Sequence, residues 1–171
     1  MKKFVRLSGV CTALFVVCSV GVTQEVIKPL GLLIRAGFFV PSTGEASVDS
    51  KGWITGGAEM SLAGLGLKVP GFGVNTELTF SIDTYNNAGF SSIPILLNVV
   101  TKSGDFHITG GAGVSFAKRA GFTSATRFSY QIGAGYTMGA ATPIVFEVRW
   151  RSVEGVGSTL DGFCFTVGVK L

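Results

Sequence analysis

The sequence predicts an all-β fold: an eight-stranded antiparallel up-and-down transmembrane β-barrel, preceded by a cleavable signal peptide. Three observations lead there. Apolar and polar residues alternate with a period of two in eight separate segments. Charged residues make up only 14% of the chain against 47% hydrophobic, yet no internal run of 18 apolar residues could cross a membrane as a helix. Glycine and phenylalanine are abundant, at 25 and 14 residues, a composition suited to many strands.

The first residues read as an export signal. Lys2, Lys3 and Arg6 precede the apolar run LSGVCTALFVVCSVG, with small residues near Ser19 and Gly21 for cleavage. We place the signal at 1–22, with the cut at Gly21 or a few residues later, and the barrel at 23–171. Cys11 and Cys18 both follow valine, so neither has the small preceding residue of a lipidation site. Cleavage removes three basic and no acidic residues, and the net charge of +4 falls to about +1. The basic character is thus mostly that of the signal, and nucleic acid is not an expected partner. Cys164 is left alone, which excludes an internal disulfide.

The strands are read at 32–40, 53–62, 74–83, 93–102, 106–116, 127–138, 143–151 and 162–171. Each approaches the roughly 9–11 residues a tilted strand needs to cross a bilayer. Short connections, SGD (103–105) and GAAT (139–142), alternate with longer polar ones at 41–52, 84–92, 118–125 and 152–159. Short turns on one rim and long loops on the other are the habit of outer-membrane barrels. The connection 63–73 breaks that rule, which suggests a longer second or third strand.

One face of the eight segments is apolar and uncharged, running from Ile34 and Phe38 through Phe80, Leu97, Ile108, Ile132 and Phe146 to Phe165 and Val167. The other carries Arg35, Glu59, Glu77, Asp83, Lys102, Arg127, Glu147, Arg149, Arg151 and Lys170, with Asn75, Asn98, His107 and Gln131. An eight-stranded interior is only just filled by side chains. The apolar face holds too many large groups for it, whereas the polar face mixes long charged residues with glycines such as Gly57, Gly111, Gly133 and Gly135. The polar face is therefore expected inside and the apolar face against lipid, where a mid-depth Lys or Arg costs roughly 2–4 kcal/mol. Strand eight must pair with strand one, since a sheet in lipid tolerates no free edge.

The expected site is structural: an ionic network in the barrel interior formed by Arg35, Glu59, Glu77, Arg127, Glu147, Arg149 and Arg151. A charge-selective gate or anion site built on Glu147, Arg149 and Arg151 is the functional alternative. His107, the single histidine, is expected to be a hydrogen-bonded interior residue rather than a catalytic one. A lone His and a lone Cys make a metal site an unfavourable reading, and no cofactor is expected. The glycines of GAGVSF and GAGY serve strand packing better than phosphate binding, since no helix follows them. Trp53, Tyr85, Phe90, Phe122 and Trp150 lie near strand ends or loops and fit an aromatic girdle or loop packing.

The segments IPILLNV (93–99), GGAGVSF (110–116), YQIGAGY (130–136) and DGFCFTVGVKL (161–171) together resemble the small outer-membrane β-barrel family of the OmpA transmembrane domain and OmpX. The resemblance covers nearly the whole mature chain. It implies an eight-stranded barrel in a bacterial outer membrane, with a periplasmic N-terminus, inserted by the barrel-assembly machinery. The family usually ends in an aromatic residue, whereas Leu171 stands here. The function expected is a non-enzymatic, structural or surface-interaction role: envelope integrity, with outer-membrane lipid around the barrel and a surface ligand held through the loops 41–52, 84–92, 118–125 or 152–159. A secreted lipocalin-like barrel would need the apolar face inside and the charges outside. A narrow gated channel and a lipid-modifying barrel enzyme are further alternatives.

Overall fold

The computed structural model describes residues 31–42, 52–63, 75–87, 89–139, 142–155 and 160–171. The expected export signal, 1–22, lies outside the described residues. Eight strands follow in chain order: β1 (Leu32–Pro41), β2 (Trp53–Ser61), β3 (Thr76–Asn87), β4 (Phe90–Ser103), β5 (Phe106–Lys118), β6 (Ala125–Met138), β7 (Ile144–Val153) and β8 (Gly162–Lys170). Each pairs antiparallel with its neighbours, and the sheet closes between β1 and β8. The closing register runs from Leu33 opposite Lys170 to Pro41 opposite Gly162. Every strand thus has a partner on both sides, as a sheet in hydrocarbon requires.

The connections differ from the sequence reading in two places. Residues 84–92 are not a long loop. The β3–β4 ladder continues upward through Tyr85 opposite Ser92 to Asn87 opposite Phe90, leaving only residues 88 and 89 between the strands. Gly89 there has φ 92°, a left-handed conformation that glycine adopts freely. The outward residues of this upper ladder, Thr84, Asn86 and Ser91, are polar because the strands have left the hydrocarbon, and that polarity disguised them as loop. Conversely, the connection after β2 is longer than expected: β2 ends at Ser61 and β3 begins at Thr76, so neither strand extends to shorten it.

Wall height is uneven. β3 to β6 have 12 to 14 residues, whereas β1, β2, β7 and β8 have 9 or 10. Pro94 sits within β4 and cannot donate to the ladder. The β3–β4 register lapses there, between Ile82 opposite Ile95 and Tyr85 opposite Ser92.

The facing is inverted relative to a soluble barrel. Phe38, Ile108 and Ile132 are 60–65% exposed, while Arg149 and Arg151 are 1% exposed. Among the described strand residues, the single charge on the outward face is Lys118, at the upper end of β5 two positions beyond Phe116. A soluble lipocalin-like barrel requires the opposite arrangement, so that alternative does not fit. The structure is a membrane-spanning barrel, consistent with the small outer-membrane barrels that the sequence resembles.

Candidate functional site

The bore of the barrel is the site, and it is stacked in three levels. The middle level is ionic. Arg35 on β1 forks onto Asp83 of β3, with Nε donating to Oδ1 at 2.9 Å and Nη2 to Oδ2 at 2.7 Å. Its Nη1 donates to Glu59 of β2 at 2.7 Å and to Glu147 of β7 at 3.1 Å. Arg149 Nη2 donates to Glu59 Oε2 at 2.7 Å and Glu147 Oε1 at 2.5 Å. Arg151 Nη2 donates to Asp83 Oδ2 at 2.6 Å. Three arginines thus meet three carboxylates, and the formal charges balance, as burial demands.

Neutral groups close this set into a circuit. Arg151 Nε donates to Gln131 Oε1, and Gln131 Nε2 to Asn98 Oδ1 at 2.7 Å. Asn98 Nδ2 donates to Ser81 and Thr79, and the Thr79 hydroxyl to Glu59 Oε1 at 2.6 Å. From Glu59, Arg35 leads back to Asp83 and Arg151. His107 on β5 lies against Glu147, Nε2 to Oε1 3.0 Å. Side chains from β1 to β7 are therefore tied across the axis.

Glycine makes room for these long groups. A side chain at Gly57 would collide with the Asp83 carboxylate, one at Gly111 with Asn98, and one at Gly135 with His107. At Gly133 a Cβ would lie 2.6 Å from Arg149 Cγ. In each case the glycine faces its long partner across one ladder rung, so small and large residues alternate around the bore by register.

The expected network residues divide. Arg35, Glu59, Glu147, Arg149 and Arg151 are brought together, and Asp83, placed inward by the periodicity but not chosen for the network, is a principal acceptor. Glu77 stands apart near the short-turn rim, bonded to Lys102 Nζ at 2.6 Å and to the Ser61 hydroxyl at 3.0 Å. Arg127 is exposed at the long-loop rim beside Gly155 and takes no part. At that height the inward face has already risen above the ionic level. Arg127→Ala is accordingly expected to change stability by less than about 0.5 kcal/mol, measured as the urea midpoint of unfolding in lipid vesicles.

Above the ions the bore is aromatic. Phe39 stacks on Tyr85 with ring centroids 4.2 Å apart, and Trp53 lies 5.3 Å from Phe39 and 6.0 Å from Phe90. Leu160, Val153, Ala117 and Cys164 complete the cluster, and the Tyr85 hydroxyl donates to the Leu160 carbonyl at 3.2 Å. The guanidinium of Arg151 lies 6.0 Å from the centre of the Tyr85 ring, joining the two levels. Trp53, Tyr85 and Phe90 are thus an internal plug, not a girdle. The signal was available: Phe39 shares the parity of Arg35, Trp53 that of Glu59 and Tyr85 that of Asp83. Trp150 does face outward, edge-on to Phe163 at 4.9 Å, and Phe122 is exposed beneath the Arg119 guanidinium.

The lowest level is a cavity of about 50 Å³ at the short-turn mouth, lined by Glu77, Lys102, His107, Thr137, Glu147 and Lys170 among others. Among the described residues no group of three His, Cys, Asp or Glu side chains could hold a metal ion, and Cys164 is a buried free thiol.

No family model matches the chain, and no curated protein matches it. Two solved structures are similar in form. The Yersinia pestis outer membrane protein Ail, determined in a phospholipid bilayer nanodisc, is 11% identical over 81% of this chain and 96% of its own, with a TM-score of 0.48. The outer membrane enzyme PagL is 18% identical over 81% of this chain and 98% of its own, with a TM-score of 0.49. PagL corrects one expectation from sequence, that the chain is not an enzyme: a neighbour in form is itself an enzyme, so barrel architecture gives no ground for that exclusion.

Proposed function

We propose that this chain is an integral β-barrel of a bacterial outer membrane, made as a precursor with residues 1–22 as its export signal, that supports the envelope and presents its long-loop rim to surface partners. The inverted facing carries this reading. An apolar belt surrounds the wall, and the ions are sealed within it, so the folded chain is soluble only in a bilayer or detergent. The barrel-assembly machinery would insert it, and contacts with a ligand would fall to the loops 41–52, 118–125 and 152–159 together with the tip at 88–89.

The bore gives the role its physical character. The aromatic plug and the ionic circuit obstruct it at successive heights, so the barrel acts as a stiff cylinder rather than an open conduit. Purified protein is expected to be extractable only with detergent and to shift its gel mobility on boiling. In planar bilayers it should add no porin-sized conductance. A water-soluble product whose mobility is unchanged by heat would overturn the membrane reading, and a steady large conductance would overturn the closed bore.

A further inference from the structure

The bore has one accessible end among the described residues. Phe39, Tyr85 and Leu160 in the plug have no exposed surface, whereas the cavity at the short-turn mouth sits at the other end, against the ionic level. Its charges are not matched. Glu77 gives one oxygen to Lys102 and the other to the Ser61 hydroxyl. The other carboxylates lining the cavity, Glu59 and Glu147, are held by Arg35 and Arg149. Lys170, partly buried and lining the same cavity, forms no ion pair with any described residue. Two ammonium groups therefore share one carboxylate, with room beside them for a few water molecules or one small oxyanion.

We propose that this mouth binds a single phosphate or carboxylate group, held by Lys170 and Lys102. A compact, strongly hydrated ammonium is suited to such a point contact, and an anion here completes the pairing that Glu77 supplies only in half. Glu77 competes with the ligand for Lys102, which fixes the sign of its effect: neutralising Glu77 must strengthen binding. The site rests on the barrel alone and is independent of what the long-loop rim does.

The test is a titration of the full barrel in nanodiscs of phosphatidylcholine with inorganic phosphate, exchanged against chloride at constant ionic strength and read by backbone NMR shifts. Saturable shifts on the order of millimolar are expected at Lys102, Thr137 and Lys170. Lys170→Gln should weaken binding about tenfold, and Glu77→Gln should tighten it about fivefold. Both variants sit at the rim, and a dispersed spectrum shows that each is folded. Absence of saturation, shifts confined to the long-loop rim, or no response to either substitution would overturn the site. A second arm replaces part of the lipid with phosphatidylglycerol. Shifts at the same residues without added phosphate assign the bound group to a lipid headgroup, and an unchanged phosphate titration assigns it to a soluble anion.

Discussion

Asp83→Ala is expected to be among the most damaging single substitutions in the bore, lowering stability by about 3–5 kcal/mol. Asp83 takes the fork of Arg35 on both oxygens and a further bond from Arg151 at 2.6 Å. Its loss leaves two guanidinium groups, each 3% exposed or less, without their principal acceptor. The circuit is already rich in donors: Arg149 Nε and Nη1 and Arg151 Nη1 have no hydrogen-bond partner among the described residues. Removing a carboxylate therefore costs more than removing one arginine, and Arg151→Met should be the milder change of the two. Unfolding in urea from lipid vesicles, followed by tryptophan fluorescence, measures both. A loss at Asp83 below about 1 kcal/mol, the range of exposed ion pairs, would show that water already fills the bore and screens the circuit.

Ile132→Arg attacks the opposite face. Ile132 is 60% exposed and sits midway along the outward row of β6 between Tyr136 and Phe128, so an arginine there must desolvate within hydrocarbon or drag the headgroups inward. A loss of about 2–4 kcal/mol is expected in a bilayer. The same substitution at Thr126, near the upper end of β6, should cost about 0–1 kcal/mol. Equal effects at the two positions would mean that the belt is not centred where the aromatic rows place it. A stabilising effect at Ile132 would mean that this face meets water.

The fold was legible because the period of two survives in every strand, and one phase collects nearly all the charge. Arg35, Glu59, Glu147, Arg149 and Arg151 could be placed together for the same reason: a closed eight-stranded cylinder has only one interior for them to share. Height along the axis was not legible. Parity says that Glu77, Asp83 and Arg127 all point inward, but not that Glu77 lies below the circuit, Asp83 within it and Arg127 above it, because that depends on strand stagger. The aromatic plug was missed for a different reason, since its parity with Arg35, Glu59 and Asp83 was readable. Trp53 and Tyr85 lie at or near strand ends, where a girdle and a plug have identical spacing and only the face distinguishes them. The β3–β4 connection was misread because, beyond the bilayer, outward residues turn polar and the alternation that marks a strand fades.

The upper β3–β4 ladder has a consequence for encounters outside the membrane. Its rungs, from Tyr85 opposite Ser92 to Asn87 opposite Phe90, carry paired strand up to a tip of two residues. A molecule arriving there meets a preset surface, bearing Thr84, Asn86 and Ser91, instead of a chain that must first be stilled. Little conformational entropy is left to lose on contact, so affinity on that side depends on fit, and lengthening the tip should weaken it.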